Sequence, residues 1–255
     1  MVVGITKIRN EEHIIEDTLD NWHEWCDLVH VYDDCSTDRT AEICRAHPIV
    51  NEVLTSDCFD PDRERAEWYC RQTIMQSARR FIGPADWIVY FDGDEWLFDF
   101  DKEMLSNPDA PPCIACKSFE SFITPEDEGY HDFRDREWVG PEWELAHYFY
   151  RNQFVDGWHL PDQRHATLRV RMGVPPLNGV VRHWGQGISV QNFERKCNYY
   201  TSTFGPKYAE KWEKRKGHAV REGYTSHFGT KLVRWQDVLE GSVETWHRDH
   251  TQLVD

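Results

Sequence analysis

Trp87-Ile88-Val89-Tyr90-Phe91-Asp92-Gly93-Asp94-Glu95-Trp96 runs from apolar, β-prone residues straight into two carboxylates separated by a glycine. Such a run reads as a buried strand that delivers Asp92 and Asp94 to its C-terminal edge, where open α/β sheets bind their ligands. Two hard oxygen donors at that edge suit Mg²⁺ or Mn²⁺ bridged to a diphosphate. A lone Asp-x-Asp is also an ordinary acidic turn, so the reading depends on what surrounds it.

What precedes it alternates regularly. Residues 2–7 read as a strand, and 11–25 as an amphipathic helix with Ile14, Ile15, Leu19 and Trp22 on one face. Residues 27–32 form a second strand that closes in Asp33-Asp34, and Ser36-Thr37-Asp38 offers cap chemistry for a helix over 39–46. A third strand over 50–55 and a long helix over 63–80 follow. Strand and helix in that cadence mean βαβ units and a mainly parallel sheet flanked by helices, an α/β fold.

After Trp96 the cadence breaks. Residues 114–122 read as a strand, and the acidic, aromatic, turn-rich stretch 124–144 as a long functional loop. Short strands are expected over 148–151, 166–171 and 180–183, and helices over 190–203, 206–216 and 231–239. The expected organisation is a catalytic domain over 1–205, with a nucleotide-binding half (1–100) and a loop-rich acceptor half (101–205), followed by a helical extension over 206–255 that is more basic than the rest.

The 255 residues can bury a substantial core. A formal charge of −16 argues against general affinity for nucleic acid or anionic lipid, both of which demand basic surface. It leaves room for phosphate-bearing small molecules held through a divalent cation. No apolar stretch approaches the roughly 20 residues of a membrane helix, and the opening residues read as a strand rather than a signal peptide, so a cytoplasmic protein is expected. The eight cysteines are scattered, and the lone Cys113-Ile114-Ala115-Cys116 lies in an apolar run that reads as buried free thiols. Twelve tryptophans point toward stacking on sugar rings, although each taken singly is an ordinary core residue.

Four polar clusters fall just past the ends of successive strands: Arg9-Asn10-Glu11-Glu12, Asp33-Asp34, residues 57–65, and Asp92-Gly93-Asp94. In a parallel sheet these ends lie along one edge. No glycine-rich phosphate loop is present, so a nucleotide here would be gripped by metal, arginine and carboxylates.

Thr6-Lys7-Ile8-Arg9-Asn10-Glu11-Glu12, then Val31-Tyr32-Asp33-Asp34-Cys35-Ser36-Thr37-Asp38-Arg39-Thr40, then Phe91-Asp92-Gly93-Asp94 resemble the successive nucleotide-sugar motifs of glycosyltransferase family 2. That family has the GT-A fold, a Rossmann-like design. The resemblance covers roughly the first 100 residues, and the Asp-Asp-x-Ser-x-Asp element is its most specific part. Tyr148-Phe149-Tyr150-Arg151-Asn152, Gly157-Trp158-His159 and Val181-Arg182-His183-Trp184-Gly185 are similar, more weakly, to the acceptor half of smaller members.

The resemblance implies that Thr6 and Glu11 or Glu12 border the nucleoside and that Asp34, with Asp33 beside it, accepts from the base N–H. It implies that Asp92 faces the ribose and metal across Gly93, that Asp94 ligates the metal, and that His183 returns to the metal or diphosphate. Arg65 is the arginine expected at the base or diphosphate, with Arg63 and Arg71 behind it, although the usual Ala-Arg-Asn signature is absent around Arg65. Asp38 reads as a helix-start residue.

The implied activity is metal-dependent hexosyl transfer, with Mn²⁺ or Mg²⁺, from a nucleoside-diphosphate sugar to a hydroxyl acceptor. A uridine diphosphate sugar is favoured because a carboxylate such as Asp34 pairs with the uracil N3–H. Inversion calls for one carboxylate base. Glu142 and Asp156 are the leading candidates, with Glu144 and Asp162 also in the middle of the chain. Two other readings compete. A haloacid-dehalogenase-like phosphatase also places an aspartate pair after an apolar strand, but early in its domain. A non-catalytic nucleotide-sugar binding protein would need the same first-half motifs.

Overall fold

The computed structural model describes residues 1–60, 62–127, 132–158, 166–171, 173–203 and 205–248. The elements, in order, are β1 (Val2–Ile8), α1 (Ile15–His23), β2 (Leu28–Asp33), α2 (Thr40–Ala46), β3 (Val50–Thr55), α3 (Arg63–Ala78), β4 (Trp87–Tyr90) and β5 (Glu95–Phe98). There follow α4 (Glu103–Ser106), β6 (Cys113–Ser121), β7 (Trp138–Arg151), β8 (Val155–Trp158), β9 (Ala166–Leu168) and β10 (Leu177–His183). The last are α5 (Val190–Thr203), α6 (Pro206–Glu213), β11 (Val233–Arg234), α7 (Trp235–Glu240) and β12 (Trp246–His247). The chain divides into two units, residues 1–116 with 146–179, and residues 117–145 with 180–255.

In the first unit β3, β2, β1 and β4 lie side by side in that order and run parallel. The order reverses direction around β1, the hallmark of a doubly wound, Rossmann-like α/β sheet of the GT-A kind. β7 closes the parallel run by pairing antiparallel to β4, Trp87 opposite Arg151 and Val89 opposite Phe149.

Both faces of this sheet are buried, which is why its strands read as near-continuous apolar runs. On one face Val3, Ile5, Tyr32, Ile88 and Tyr90 pack against Cys70, Ile74, Met75 and Ala78 of α3. On the other, Trp22 of α1 stacks on Phe91 at 4.3 Å, and Phe100 stacks on Phe149 at the same distance. Gly4 marks how closely that face packs: a Cβ there would lie 2.9 Å from Val29 Cγ2 and 3.0 Å from Phe91 Cε1.

The amphipathic face expected for α1 is buried as read: Ile14, Ile15, Leu19 and Trp22 have almost no exposure. The helix starts at Ile15 rather than residue 11 because Glu11 N–H donates to Thr40 Oγ1 (2.8 Å) and Glu12 N–H to Asp38 Oδ2 (3.4 Å), holding that stretch in a turn.

The stretch 124–144 is not one long loop. Residues 125–127 and 133–135 form single 3₁₀ turns, and β7 begins at Trp138. In the second unit Val139 pairs with Val233 of β11 and Trp143 with His247 of β12, partners about a hundred residues away that no local pattern reveals. The same pairing converts the start of the expected helix over 231–239 into strand, so α7 begins only at Trp235. All eight cysteines are free, and Cys113 and Cys116 are fully buried, which pushes both thiols up. Five of the twelve tryptophans, Trp22, Trp87, Trp158, Trp184 and Trp235, are buried, and the others are partly or well exposed. No described helix is long and apolar enough to cross a membrane.

Candidate functional site

The carboxyl edge of the parallel run gathers the expected residues of the first unit. β1 and β2 are in register with Ile8 opposite Asp33, and Ile5 lies opposite Tyr90, so Asp92 emerges two residues past that pair. Side chains alternate along a strand. Val3, Ile5, Tyr32, Ile88 and Tyr90 share the α3 face, and Lys7, next in that alternation, meets Asp34 just past the end of β2.

The loops at this edge are knitted together before any ligand arrives. Asn10 and Cys35 take positive φ (55° and 56°), turning the chain sharply after β1 and β2. Asn10 Oδ1 accepts from Thr37 N–H at 2.8 Å, and Asn10 N–H donates to Ser36 Oγ at 2.9 Å. Asp38 Oδ1 accepts from Thr40 N–H (3.0 Å), the helix-start role read for it. Glu12 Oε2 accepts from Arg39 N–H at 3.1 Å, which ties Glu12 to the start of α2. Asp33 Oδ1 accepts from Ser36 N–H at 3.3 Å in the turn after β2.

Asp34 is buried and faces the Lys7 ammonium at 2.9 Å. Its other oxygen, Oδ1, lies 3.4 Å from Ser56 Oγ, whose single proton is shared with Tyr32 OH at 3.1 Å. Burial raises the Tyr32 phenol to about 12, so it stays neutral. Thr6 is fully buried, and its hydroxyl has no hydrogen-bond partner among the described residues.

The Asp92-Gly93-Asp94 turn is fixed by a residue the sequence reading passed over. Glu95, fully buried, reaches back so that its Oε2 accepts from Asp92 N–H at 2.9 Å. The i to i+3 reach-back is the geometry of a capping box, and that spacing was the available signal. Gly93 C=O accepts from Thr18 Oγ1 (2.8 Å), and Glu95 C=O from Trp22 Nε1 (2.7 Å), so α1 clamps the turn from outside the sheet. Gly93 admits no side chain: a Cβ would lie 2.9 Å from Ile8 Cγ2 and 3.5 Å from Glu11 Cγ, which also places Glu11 beside the turn. Asp94 is 5% exposed.

Two arginines divide differently from expectation. Arg65 lies on the surface, 67% exposed at its side chain, and forks onto Asp60 with two 2.9 Å bonds. Arg71, one face further along α3, is 7% exposed and sits 5.0 Å over the Tyr90 ring with Glu67 at 3.2 Å. Its Nε has no hydrogen-bond partner among the described residues. Burial opposes the Arg71 charge, but Tyr90, Glu67 and Asp92 outweigh it and hold the guanidinium above its usual range. Arg9 stacks over Phe59 at 3.8 Å, joining the loops after β1 and β3.

The second unit holds the remaining candidates. His183 Nδ1 lies 3.1 Å from Glu120 Oε2, a carboxylate the sequence reading did not single out. Gly185 keeps room for that ring, since a Cβ there would lie 2.7 Å from His183 Nε2. Glu142 stands in β7, not in a loop; it is 6% exposed, and neither carboxylate oxygen completes a hydrogen bond. Burial pushes its pKa up, moderated by Ser226 and Arg248. Glu144 pairs with Arg248. In the first unit, Asp156 is exposed on β8 and pairs with Arg169 at 2.5 Å. Asp162 and His159 lie outside the described residues.

Among the described residues, no three His, Cys, Asp or Glu side chains converge into a ready-made metal cage. The donor set at the sheet edge fits a hard cation held by one or two carboxylates, with phosphate oxygens and water filling the other positions.

No protein-family model matches the chain. Uncharacterized proteins of Mycobacterium tuberculosis and Mycobacterium bovis are each 28% identical to it over 133 residues, covering 49% of this chain. The match spans about a third of the length of those curated relatives, 31%. Among solved structures, mannosyl-3-phosphoglycerate synthase from Rubrobacter xylanophilus overlaps at a TM-score of 0.29 and 19% identity, covering 52% of this chain and 43% of that one. Glucosyl-3-phosphoglycerate synthase from Mycobacterium tuberculosis, in complex with Mn²⁺, uridine diphosphate and glucosyl-3-phosphoglycerate, overlaps at 0.31 and 20% identity, covering 47% and 44%. HddC from Yersinia pseudotuberculosis overlaps at 0.41 and 9% identity, covering 78% and 100%. At these scores the overlaps carry no functional weight, and the reading below rests on the geometry of the site.

Proposed function

We propose that the chain is a metal-dependent glycosyltransferase that takes a sugar from a nucleoside-diphosphate sugar, a uridine diphosphate sugar first, and transfers it with inversion to a hydroxyl acceptor. The observation that carries this reading lies at one sheet edge: Lys7 pairs with Asp34 at 2.9 Å, and the buried Arg71 of α3 is held charged in part by Asp92. A carboxylate for the base, a carboxylate for a bridging cation and a desolvated guanidinium for the diphosphate are the three grips such a donor needs where a glycine-rich loop is missing.

Lys7 pairs with Asp34 at 2.9 Å, and the long Ser56 contact is one that a uracil N3–H would replace with a shorter bond. Arg71, anchored by Glu67 and Tyr90, presents an Nε donor whose burial without a partner is costly until an anion relieves it. Asp94 and Asp92 are the metal ligands in this reading, with His183 a further candidate; the cation, when bound, offsets charge developing on the leaving diphosphate. Thr6 and Glu11 border the nucleoside. For the base we retain Glu142 and Asp156, and favour Glu142 because its buried carboxylate binds protons more tightly than an exposed one.

The phosphatase reading places its aspartate pair early in the domain, whereas Asp92 follows the end of β4, with three strands before it in the chain. A thermal-shift panel of nucleoside-diphosphate sugars, with and without Mn²⁺, tests the proposal. Stabilisation by uridine diphosphate sugars that needs the cation is expected. Equal stabilisation by guanosine forms would remove the base preference, and a burst of phosphate from simple phosphomonoesters would replace the reading with the phosphatase. Tight donor binding without transfer or slow donor hydrolysis would reduce the chain to a binding protein.

A further inference from the structure

Six of the eight cysteines are buried; Cys58 is exposed and Cys35 is partly buried. These two stand on neighbouring loops at the carboxyl edge of the first unit, Cys35 after β2 and Cys58 after β3. The turn after β2 is held from the β1 side. Asp34 N–H donates to Ile8 C=O at 2.9 Å, and Ser36 Oγ accepts from Asn10 N–H at 2.9 Å. Between them Cys35 takes a φ of 56°, and its sulfur meets the β3 side, where the thiol donates to Ser56 C=O at 3.2 Å. Ser56 N–H in turn donates to Asp33 C=O at 3.0 Å. Both backbone groups of the first residue after β3 are thus fastened to the end of β2 and its turn.

The next anchor along the chain is Phe59. Its ring lies 3.8 Å from the guanidinium carbon of Arg9, in the loop after β1, and Asp60 is forked by Arg65 of α3. Because β2 lies between β3 and β1, the segment 56–59 starts at the sulfur of Cys35 and heads toward β1 across the β2 turn. Residues 57 and 58 form an exposed bend between these two anchors. Consecutive Cα atoms stand about 3.8 Å apart, so Cys58 Cα lies within about 8 Å of Ser56 Cα. A disulfide bridges Cα atoms about 4.4–6.8 Å apart, a closure within reach of an exposed bend. The pair is therefore placed by the contacts of its neighbours, and no other cysteine of the chain shares its exposure.

We propose that Cys35 and Cys58 are a redox modification site, joined by a reversible disulfide when the chain meets a hydroperoxide, and that the bond lowers donor affinity. The exposed Cys58 sulfur attacks the peroxide O–O bond, giving a sulfenic acid and releasing water from hydrogen peroxide or an alcohol from an organic one. The Cys35 sulfur then displaces the sulfenic oxygen, which leaves as water with the thiol proton; the two sulfurs are oxidised and the peroxide is reduced. A dithiol returns both thiols. Closing the bond takes the Cys35 sulfur off Ser56 C=O and draws the bend toward Asp34, whose Oδ1 lies 3.4 Å from Ser56 Oγ. The carboxylate that would meet the base is then crowded. That consequence rests on the glycosyltransferase reading; the disulfide itself does not.

The test treats the full chain with hydrogen peroxide, removes the excess with catalase, and maps disulfides by mass spectrometry of an unreduced digest. A linked pair of peptides carrying Cys35 and Cys58 is expected, with loss of two of the eight free thiols. The link should be absent from Cys58→Ser and from Cys35→Ser, each confirmed as folded by thermal unfolding. Calorimetric titration of uridine diphosphate with Mn²⁺ should show affinity about tenfold or more weaker in the oxidised wild type, equivalent to about 1.4 kcal/mol. Dithiothreitol should restore it, and Cys58→Ser should bind equally with or without peroxide treatment. No link, or a link through another cysteine, overturns the proposal, and equal affinity of the reduced and linked forms overturns the switch. A mapped link in a chain that binds no uridine diphosphate in either state would leave the disulfide standing and remove the glycosyltransferase reading; binding by the reduced chain with no link would do the reverse.

Discussion

The carboxyl edge of the first unit and two charged side chains of the second unit, Glu142 and Arg221, meet the same electrostatic problem differently. At the edge, Asp33, Asp34, Asp38 and Glu12 each accept from a backbone N–H, a hydroxyl or the Lys7 ammonium, so their charge is compensated inside the fold. In the second unit, Glu142 is buried with no completed hydrogen bond and Arg221 is ringed by neutral acceptors. A compensated edge is a preorganised surface that costs little to keep, whereas a buried carboxylate with no completed hydrogen bond carries a penalty that a proton or a ligand reduces. The difference separates carboxylates whose charge is met within the fold from Glu142, whose buried carboxylate favours binding a proton.

The largest expected effect tests that division at Glu142. Glu142→Gln should lower transfer by roughly 10²–10⁴-fold while leaving donor binding intact, as removal of a general base does. Burial raises the folded pKa of Glu142, so the folded state binds its proton more tightly than the unfolded chain. Stability therefore falls as pH rises from the ordinary carboxylate range through the raised value, and the amide variant should be more stable than wild type above that window but not below it. The acid limb of the rate profile should vanish with the same substitution. If Asp156→Asn, at an exposed ion pair with Arg169, instead removes transfer, the base belongs to the first unit and the contrast drawn here is wrong.

A smaller effect separates the two arginines of α3. Arg71→Ala should weaken donor binding by about tenfold or more in calorimetry, because a desolvated guanidinium contributes far more than an exposed one. Arg65→Ala should leave donor affinity unchanged and barely move the melting temperature, as expected for an exposed surface pair. The reverse ranking would restore the assignment made from sequence.

Gly93→Ala probes the preorganised edge itself. Its Cβ would crowd Ile8 at 2.9 Å, and overpacking of this kind costs roughly 1–3 kcal/mol, visible as a lowered melting temperature. A variant that melts like wild type would mean that the turn is looser than its hydrogen bonds imply.

The parallel half was legible because both of its faces are buried and its period is local: Trp87–Tyr90, Val2–Ile8 and Leu28–Asp33 announce themselves as apolar runs ending in acids. Lys7 was legible in principle, as a lone cation at an inward-facing position after Val3 and Ile5, but its meaning depends on Asp34 across the sheet. Arg71 could not be ranked above Arg65, since burial of one and exposure of the other are properties of how α3 packs, not of its sequence. β7 was hidden because its partners β11 and β12 lie about a hundred residues further on, and its acids and aromatics look like loop until they are paired.

The central claim is that the Asp92-Gly93-Asp94 edge holds a nucleoside diphosphate through a divalent cation. Calorimetric titration of uridine diphosphate into wild type and Asp94→Asn, with and without Mn²⁺, tests it most directly. The account predicts binding by the wild type that requires Mn²⁺ and falls at least about tenfold in the folded variant, equivalent to about 1.4 kcal/mol. Binding of equal strength without the cation, or undiminished in Asp94→Asn, would contradict it.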